Sequence, residues 1–276
     1  MALRLMFITN NEEVAKAAEE VGVDWIFLDL EIRGKVERQG HLDTVISRHE
    51  LCDVRRIASV LSVSKLLVRV NPLYEDSQEE VDAVIESGAD IVMLPLFTGS
   101  AGVEEFVSYV KGRAATCLLL ETPQAVENLD SILAVSGIDY VHVGLNDLHL
   151  GYGLRFMFEL LANGTVERIC NRVKQRGIPF GFGGVARLGQ GTLPAELIPA
   201  EHYRLGSSMV ILSRSFCDTT RVTDIDQIKE VLKTGVAEIR EYEAFLRKQS
   251  YGYFANSSRL VESKVQHIVE SLGQDL

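Results

Sequence analysis

Two acidic residues stand where apolar runs stop. Glu121 follows Cys117-Leu118-Leu119-Leu120, and Asp147 follows His142-Val143-Gly144-Leu145-Asn146. Two carboxylates brought side by side repel each other unless a cation or a proton lies between them. Oxygen donors of this kind suit a hard divalent ion, Mg²⁺ or Mn²⁺, with water and substrate oxygens completing the shell. The alternative reading makes Asp147 a helix cap and pairs Glu121 with Arg69. Arg69 itself ends the run Lys65-Leu66-Leu67-Val68. A guanidinium there stays charged and presents a planar fork to a substrate carboxylate. It can equally pair with Asp29, Glu31 or Glu121, and such a pair would also orient it. Asp29 and Glu31 alternate on one strand-like segment and so face one side, where acidic groups are rarely left without a partner.

These residues need a frame that gathers strand ends together. Strand-like segments fall at residues 4–9, 24–31, 65–71, 91–95, 116–121, 140–144, 179–184 and 209–213. Helical patterns fall between them at 12–20, 48–61, 77–87, 103–111, 125–135 and 166–175, and again at 223–248, with a polar loop over 32–47. Asn10 or Asn11 is placed to cap the first helix, and Ser77-x-x-Glu80 reads as a capping box. A recurring junction of helix, glycine and strand supports the alternation: Gly22-Val23-Asp24, Gly88-Ala89-Asp90, Gly137-Ile138-Asp139, Gly177-Ile178-Pro179 and Gly206-Ser207. Glycine there supplies a left-handed helix end. Strands that are apolar almost throughout are expected when both faces are covered.

Eight such units without interruption predict the α/β fold class, as a (β/α)8 TIM barrel with an additional C-terminal helix. The barrel is expected over residues 1–248 and a helical extension over 249–276. In that extension 251–253 reads as loop and 258–271 as an amphipathic helix, packed on its own barrel or on a neighbouring subunit. No Gly-x-Gly-x-x-Gly follows the first strand to favour an open dinucleotide-binding sheet. In a barrel the chemistry sits at the C-terminal strand ends. Glu121 and Asp147 are separated by one helix, so their strands are neighbours, roughly 4.8 Å apart.

The formal net charge of -11, with Lys and Arg scattered, gives no footprint for nucleic acid or an anionic membrane. No apolar stretch reaches the roughly 18 residues of a membrane span, and no signal-peptide pattern opens the chain. The expectation is a cytoplasmic protein. Cys52, Cys117, Cys170 and Cys217 form no C-x-x-C pair, which favours reduced thiols over a disulfide frame or a zinc site.

Several motifs together resemble the HpcH/HpaI metal-dependent 2-oxo acid aldolase and citrate lyase β-subunit family. They are Asp29-Leu30-Glu31, Val68-Arg69-Val70-Asn71, the run Gly88 to Pro95, Leu120-Glu121-Thr122-Pro123-Gln124-Ala125-Val126-Glu127-Asn128-Leu129, and the run Gly137 to Leu148. The resemblance covers residues 12–147 well. It implies a TIM barrel that binds Mg²⁺ or Mn²⁺ through Glu121 and Asp147, with Arg69 on the carboxylate or keto oxygen of a pyruvate-like fragment. The cation would act as a Lewis acid on the 2-oxo acid, and carbon–carbon cleavage or condensation would follow. It also implies homo-oligomers.

The chain departs from that family at Ile32. Aldolase members carry histidine there and the citrate-lyase branch aspartate. His149 is the substitute candidate, with His41 and His49 as others; for each singly, a surface role is the plainer reading. Residues 189–194 form a glycine-rich loop, and Arg187 and Arg214 flank the last two strand ends. They are candidates for an anionic substrate group, or else for rim salt bridges. The expected assignment is therefore Arg69, Glu31 and His149 in catalysis, Arg69, Arg187 and Arg214 in substrate binding, and Glu121 and Asp147 on the metal. The expected activity is a metal-dependent carbon–carbon lyase acting on a small 2-oxo acid. A citryl- or malyl-type acyl-CoA lyase and a non-catalytic carboxylate-binding barrel are the alternatives.

Overall fold

The glycine–aspartate junctions explain how one strand is set against the next. In a computed structural model of the chain, which describes residues 2–34, 49–219 and 221–273, Gly22, Gly88, Gly137, Gly177 and Gly206 all have positive φ. Gly22, Gly88, Gly177 and Gly206 end helices in a conformation that costs glycine little, and Gly137 takes it in the turn before β6. The aspartate that follows three of them then reaches back one strand. Asp24 accepts from the Leu5 amide, Asp90 from that of Leu66 and Asp139 from that of Thr116, each at 2.8 Å. The repeated motif thus pins the N-terminal ends of neighbouring strands, on the face opposite the candidate site.

The strands are β1 (Arg4–Ile8), β2 (Trp25–Asp29), β3 (Lys65–Arg69), β4 (Ile91–Leu94), β5 (Ala115–Leu120), β6 (Tyr140–Val143), β7 (Phe180–Val185) and β8 (Met209–Leu212). They run parallel in sequence order and close, β8 pairing with β1, into the expected eight-stranded barrel. The described helices are α1 (Glu12–Glu20), α2 (Leu51–Val60), α3 (Ser77–Glu86), α4 (Ser100–Val110), α5 (Pro123–Glu127), α6 (Leu129–Ile132), α7 (Leu145–Gly151), α8 (Glu159–Ala162), α9 (Thr165–Gln175), α10 (Leu197–Leu205), α11 (Ile225–Leu246) and α12 (Tyr251–Leu272). None is long and apolar enough to cross a membrane.

Inside the barrel Met6, Phe27, Leu67, Met93, Leu119 and Met209 pack as one buried cluster. Alternation along a strand then places Asp29, Arg69 and Glu121, two residues beyond Phe27, Leu67 and Leu119, on the same inner side and nearer the mouth. A second, larger core lies between strands and helices. Glu243 of α11 closes the seam between the chain's two ends. It is fully buried, accepts from the Leu3 amide at 2.7 Å and Tyr203 Oη at 2.9 Å, and pairs with Arg240 at 2.7 Å.

Several local expectations are corrected. Asn11 caps α1 as expected, but Ser77 does not form the capping box. Asp76 occupies the N-cap, and Ser77 Oγ accepts instead from the Tyr74 amide. The single helix expected over 125–135 breaks at Asn128 into α5 and α6. Residues 251–253, expected as loop, open α12, capped by Ser250. That last helix packs against α8 and α10 of its own chain. Helices α7, α8 and α10 appear where none was expected. Most of the expected loop over 32–47 lies outside the described residues.

Candidate active site

The inner, mouth-facing side chains line a cavity of about 1020 Å³ whose wall includes Asp29, His49, Arg69, Glu121, His142 and Asp147. Arg69 is its best-defined member. Its Nε and Nη2 each donate to an oxygen of Asp29 at 2.8 Å, and Nη2 stands 3.2 Å from Glu31 Oε2. The strand register sets Asp29 directly beside Arg69. Burial opposes the guanidinium charge, but Asp29, Glu31 and Glu121 hold it firmly protonated. Nε and Nη2 are thereby committed, and Nη1 has no hydrogen-bond partner among the described residues. The β2 exit that carries Glu31 is fastened in turn. Asn71 Oδ1 accepts from the amides of Ile32 at 3.0 Å and Arg33 at 3.1 Å, and its Nδ2 donates to Glu80 at 2.7 Å.

Glu121 is 3% exposed. Its Oε1 accepts from the Leu96 amide at 3.2 Å, and Leu96 takes φ of 52° to present that amide. Burial pushes its pKa well above the usual carboxylate range; Arg69 opposes this, while Asp147 and Glu31 add to it. Arg69 therefore offsets only part of the cost of holding a carboxylate there. Asp147 lies in the first turn of α7, a helix not expected there, whose N-cap is Gly144 rather than Asp147. Gly144 must lack a side chain: a Cβ would stand 2.7 Å from Glu121 Oε2 and 2.9 Å from Glu121 Cβ.

This donor set fits a hard divalent cation. Glu121 and Asp147 supply two carboxylates to one end of the cavity, and an ion between them would offset the charge that burial disfavours on Glu121. No group of three or more His, Cys, Asp or Glu among the described residues is arranged to hold a metal. Two protein ligands with water and substrate completing the shell is how Mg²⁺ is commonly held.

The structure does not bring every sequence candidate to the cavity. Glu31 is 1% exposed and sits behind Arg69, outside the cavity wall, so it positions Arg69 rather than meeting substrate. His149 is also withdrawn: it is buried on α7, its Nδ1 lies 3.0 Å from the Leu145 carbonyl one turn back, and it does not line the cavity. Arg187 is turned aside too, its Nη2 4.0 Å from Glu238. Arg214 does reach the rim, on the exposed turn after β8. His41 lies outside the described residues. His49 lines the cavity, with Nδ1 accepting from the Asp29 amide at 3.0 Å.

Sequence reasoning assigned no role to His142. It is 1% exposed, points inward from β6 in register with Leu119, and forms part of the cavity floor. Counting two residues back from Gly144 on an inward-facing strand would have found it.

Residues 4–157 match the sequence profile of the HpcH/HpaI aldolase/citrate lyase family. A search of the curated proteins returned no match. Among solved structures, the chain is similar to an HpcH/HpaI aldolase from Desulfitobacterium hafniense DCB-2 (18% identity, 83% of this chain and 93% of that one, TM-score 0.62). It is similar to an HpcH/HpaI aldolase/citrate lyase family protein from Burkholderia cenocepacia J2315 (17% identity, 83% and 95%, TM-score 0.63). It is also similar to the citrate synthase SbnG (14% identity, 83% and 94%, TM-score 0.60). At these identities the structural likeness speaks to the barrel. The profile match spans more than half of the chain, and the chain belongs to the HpcH/HpaI aldolase/citrate lyase family.

Proposed function

We propose that this protein is a metal-dependent lyase that breaks or forms a carbon–carbon bond next to a 2-oxo acid. The observation that carries the reading is the buried Glu121 carboxylate beside Asp147, at the end of a cavity into which Arg69 faces. Glu121 and Asp147 would hold a Mg²⁺ or Mn²⁺ ion, which would supply Lewis acidity at the 2-oxo carbonyl.

Arg69 does the binding and orienting. With two edges of its fork held by Asp29 and Glu31, Nη1 is the donor left for a substrate carboxylate. A donor fixed in advance loses little entropy when the substrate arrives. The apolar floor around Phe27 and Leu119 limits water below the reacting carbons. Arg214 at the rim is the group placed to meet a negative charge on the far end of a longer substrate. The tail helix α12 leaves Tyr251 and Leu260 exposed, and a homo-oligomer covering them belongs to the same proposal.

The test is release of pyruvate from a panel of 4-hydroxy-2-oxo acids, with Mg²⁺ or Mn²⁺ and again with EDTA. Metal-dependent release is expected. The second reading is a barrel that binds a carboxylate without turnover. It is favoured by Ile32, 59% exposed and outside the cavity wall at the position where relatives carry a base. Metal-dependent pyruvate binding with no release from any compound would select it.

A further inference from the structure

The cavity wall differs from one side of the barrel to the other. Asp29, Arg69, Glu121 and Asp147 come from β2, β3 and the exits of β5 and β6, and they gather charge on one half. The other half is made by β7, β8 and β1. Of β7, only Gly183 and Gly184 reach the wall, so no side chain of that strand separates Asp147 from what lies beyond. Beyond it stand Ile211 of β8 and Ile8 of β1, on paired strands and packed on the inner cluster. Both are half-buried inside a closed barrel and both line the cavity, so the surface they keep opens into it. Phe156 and Met157, half-buried between α7 and α8, and Ile225 at the start of α11 extend the apolar wall toward the mouth. The charged residues lining this side, Glu13, Arg214 and Asp218, stand on segments that follow β1 and β8, nearer the rim. Ser213 Oγ and Ser215 Oγ, also past the end of β8, bond each other at 2.9 Å.

We propose that the β7–β8–β1 half is a subsite for an uncharged apolar tail, so that the substrate is a 4-hydroxy-2-oxo acid carrying an alkyl or aryl group on C4. The inference rests on the function proposed above. A cavity of about 1020 Å³ stands at the upper end of the roughly 300–1,000 Å³ of ligand pockets, far more than a three-carbon oxo acid fills. With the carboxylate and oxo groups at the Arg69 and Glu121–Asp147 end, the rest of the chain passes the glycines of β7 toward Ile211 and Ile8. Cleavage breaks the C3–C4 bond. The C4 hydroxyl gives up its proton and becomes the aldehyde carbonyl, the bonding pair stays on C3 as the enolate of pyruvate, and a proton returns to C3. The aldehyde released keeps the apolar tail. Each methylene withdrawn from water against this wall strengthens binding about fourfold. A hydroxyl set against the two isoleucines loses its water and gains no partner from them.

The test is calorimetric titration of the whole chain, with Mg²⁺ present, using pyruvate and 2-oxoheptanoate, which has no C4 hydroxyl and is not cleaved. The wild type is expected to bind 2-oxoheptanoate about tenfold more tightly or better. In turnover, kcat/KM for pyruvate release should be about tenfold higher for 4-hydroxy-2-oxoheptanoate than for 4,5,6-trihydroxy-2-oxoheptanoate, which has the same carbon chain. Ile211→Thr replaces an ethyl group with a hydroxyl, and Met157→Gln changes a half-buried position near the mouth, where the fold has less to lose. Each should lower both ratios about threefold or more. Equal wild-type affinities, or no preference in turnover, would overturn the inference while leaving the 2-oxo acid reading standing. So would ratios unchanged in both variants. Binding of neither pyruvate nor 2-oxoheptanoate would overturn both.

Discussion

Arg69 shows how two neighbours decide what a third partner can be. Asp29 takes Nε and Nη2 side-on, and Glu31 crowds Nη2. A lysine offers a point charge in place of the fork. Arg69→Lys should weaken Mg²⁺-supported pyruvate binding about tenfold or more, since a charge-assisted bond contributes about 1.5–3 kcal/mol. Calorimetry checks it, and unchanged affinity would remove Arg69 from the substrate. The buried imidazoles carry a second prediction. His142 has a folded pKa of about 4, and His202 is also held well below its ordinary value, both chiefly by burial. Their folded forms bind fewer protons than the unfolded chain between about pH 6.5 and pH 4. Stability should therefore be full above that window and fall as pH drops through it. His142 alone accounts for a loss of about 2 kcal/mol at pH 5. Denaturant titrations at pH 8 and pH 5 read the difference. His142→Gln should lessen the loss, and an identical loss in that variant would contradict the assignment.

At the level of elements, α7 depends on a glycine for reasons of space rather than backbone. Gly144 has φ of -82°, which any residue adopts, but a Cβ there would strike the Glu121 carboxylate. Gly144→Ala should leave the fold intact and weaken Mn²⁺ binding at least tenfold through displaced Glu121. Electron paramagnetic resonance of free Mn²⁺ would measure it, and full affinity would mean that Glu121 is not a ligand. The strands and most flanking helices were legible in the sequence because each carries a clear period or an unbroken apolar run. α7 has seven residues, too few for a helical period to declare itself, so Asp147 read as a strand-end residue or a helix cap rather than as part of a helix's first turn. α10 was missed for a different reason. Leu197, Ile198, Pro199, Ala200, Glu201, His202 and Leu205 are all buried, leaving little polar face to mark a period. Arg69, Glu121 and Asp147 were legible as strand-end residues. The inward side of His142 follows from strand alternation and could have been read, whereas the turning away of His149 and Arg187 depends on rotamers that no spacing encodes.

For the whole molecule, the question is what keeps the barrel closed beneath the site. Glu243 joins α11 to β1 and to Tyr203 of α10, with Arg240 as its charge partner. Glu243→Ala removes all three contacts and leaves Arg240 part-exposed beside Asp24. A cost of about 2 kcal/mol is expected, or a fall in Tm of about 5 °C for a chain of this size. Thermal melts test it, and an unchanged Tm would mean that the seam is held elsewhere.

The central claim is that Glu121 and Asp147 together hold a divalent cation, and calorimetric titration of Mn²⁺ tests it most directly. The wild type should bind one ion reversibly, and Glu121→Ala and Asp147→Ala should each lose the affinity at least tenfold while melting as folded proteins. Equal Mn²⁺ affinity in the wild type and both variants would contradict the account.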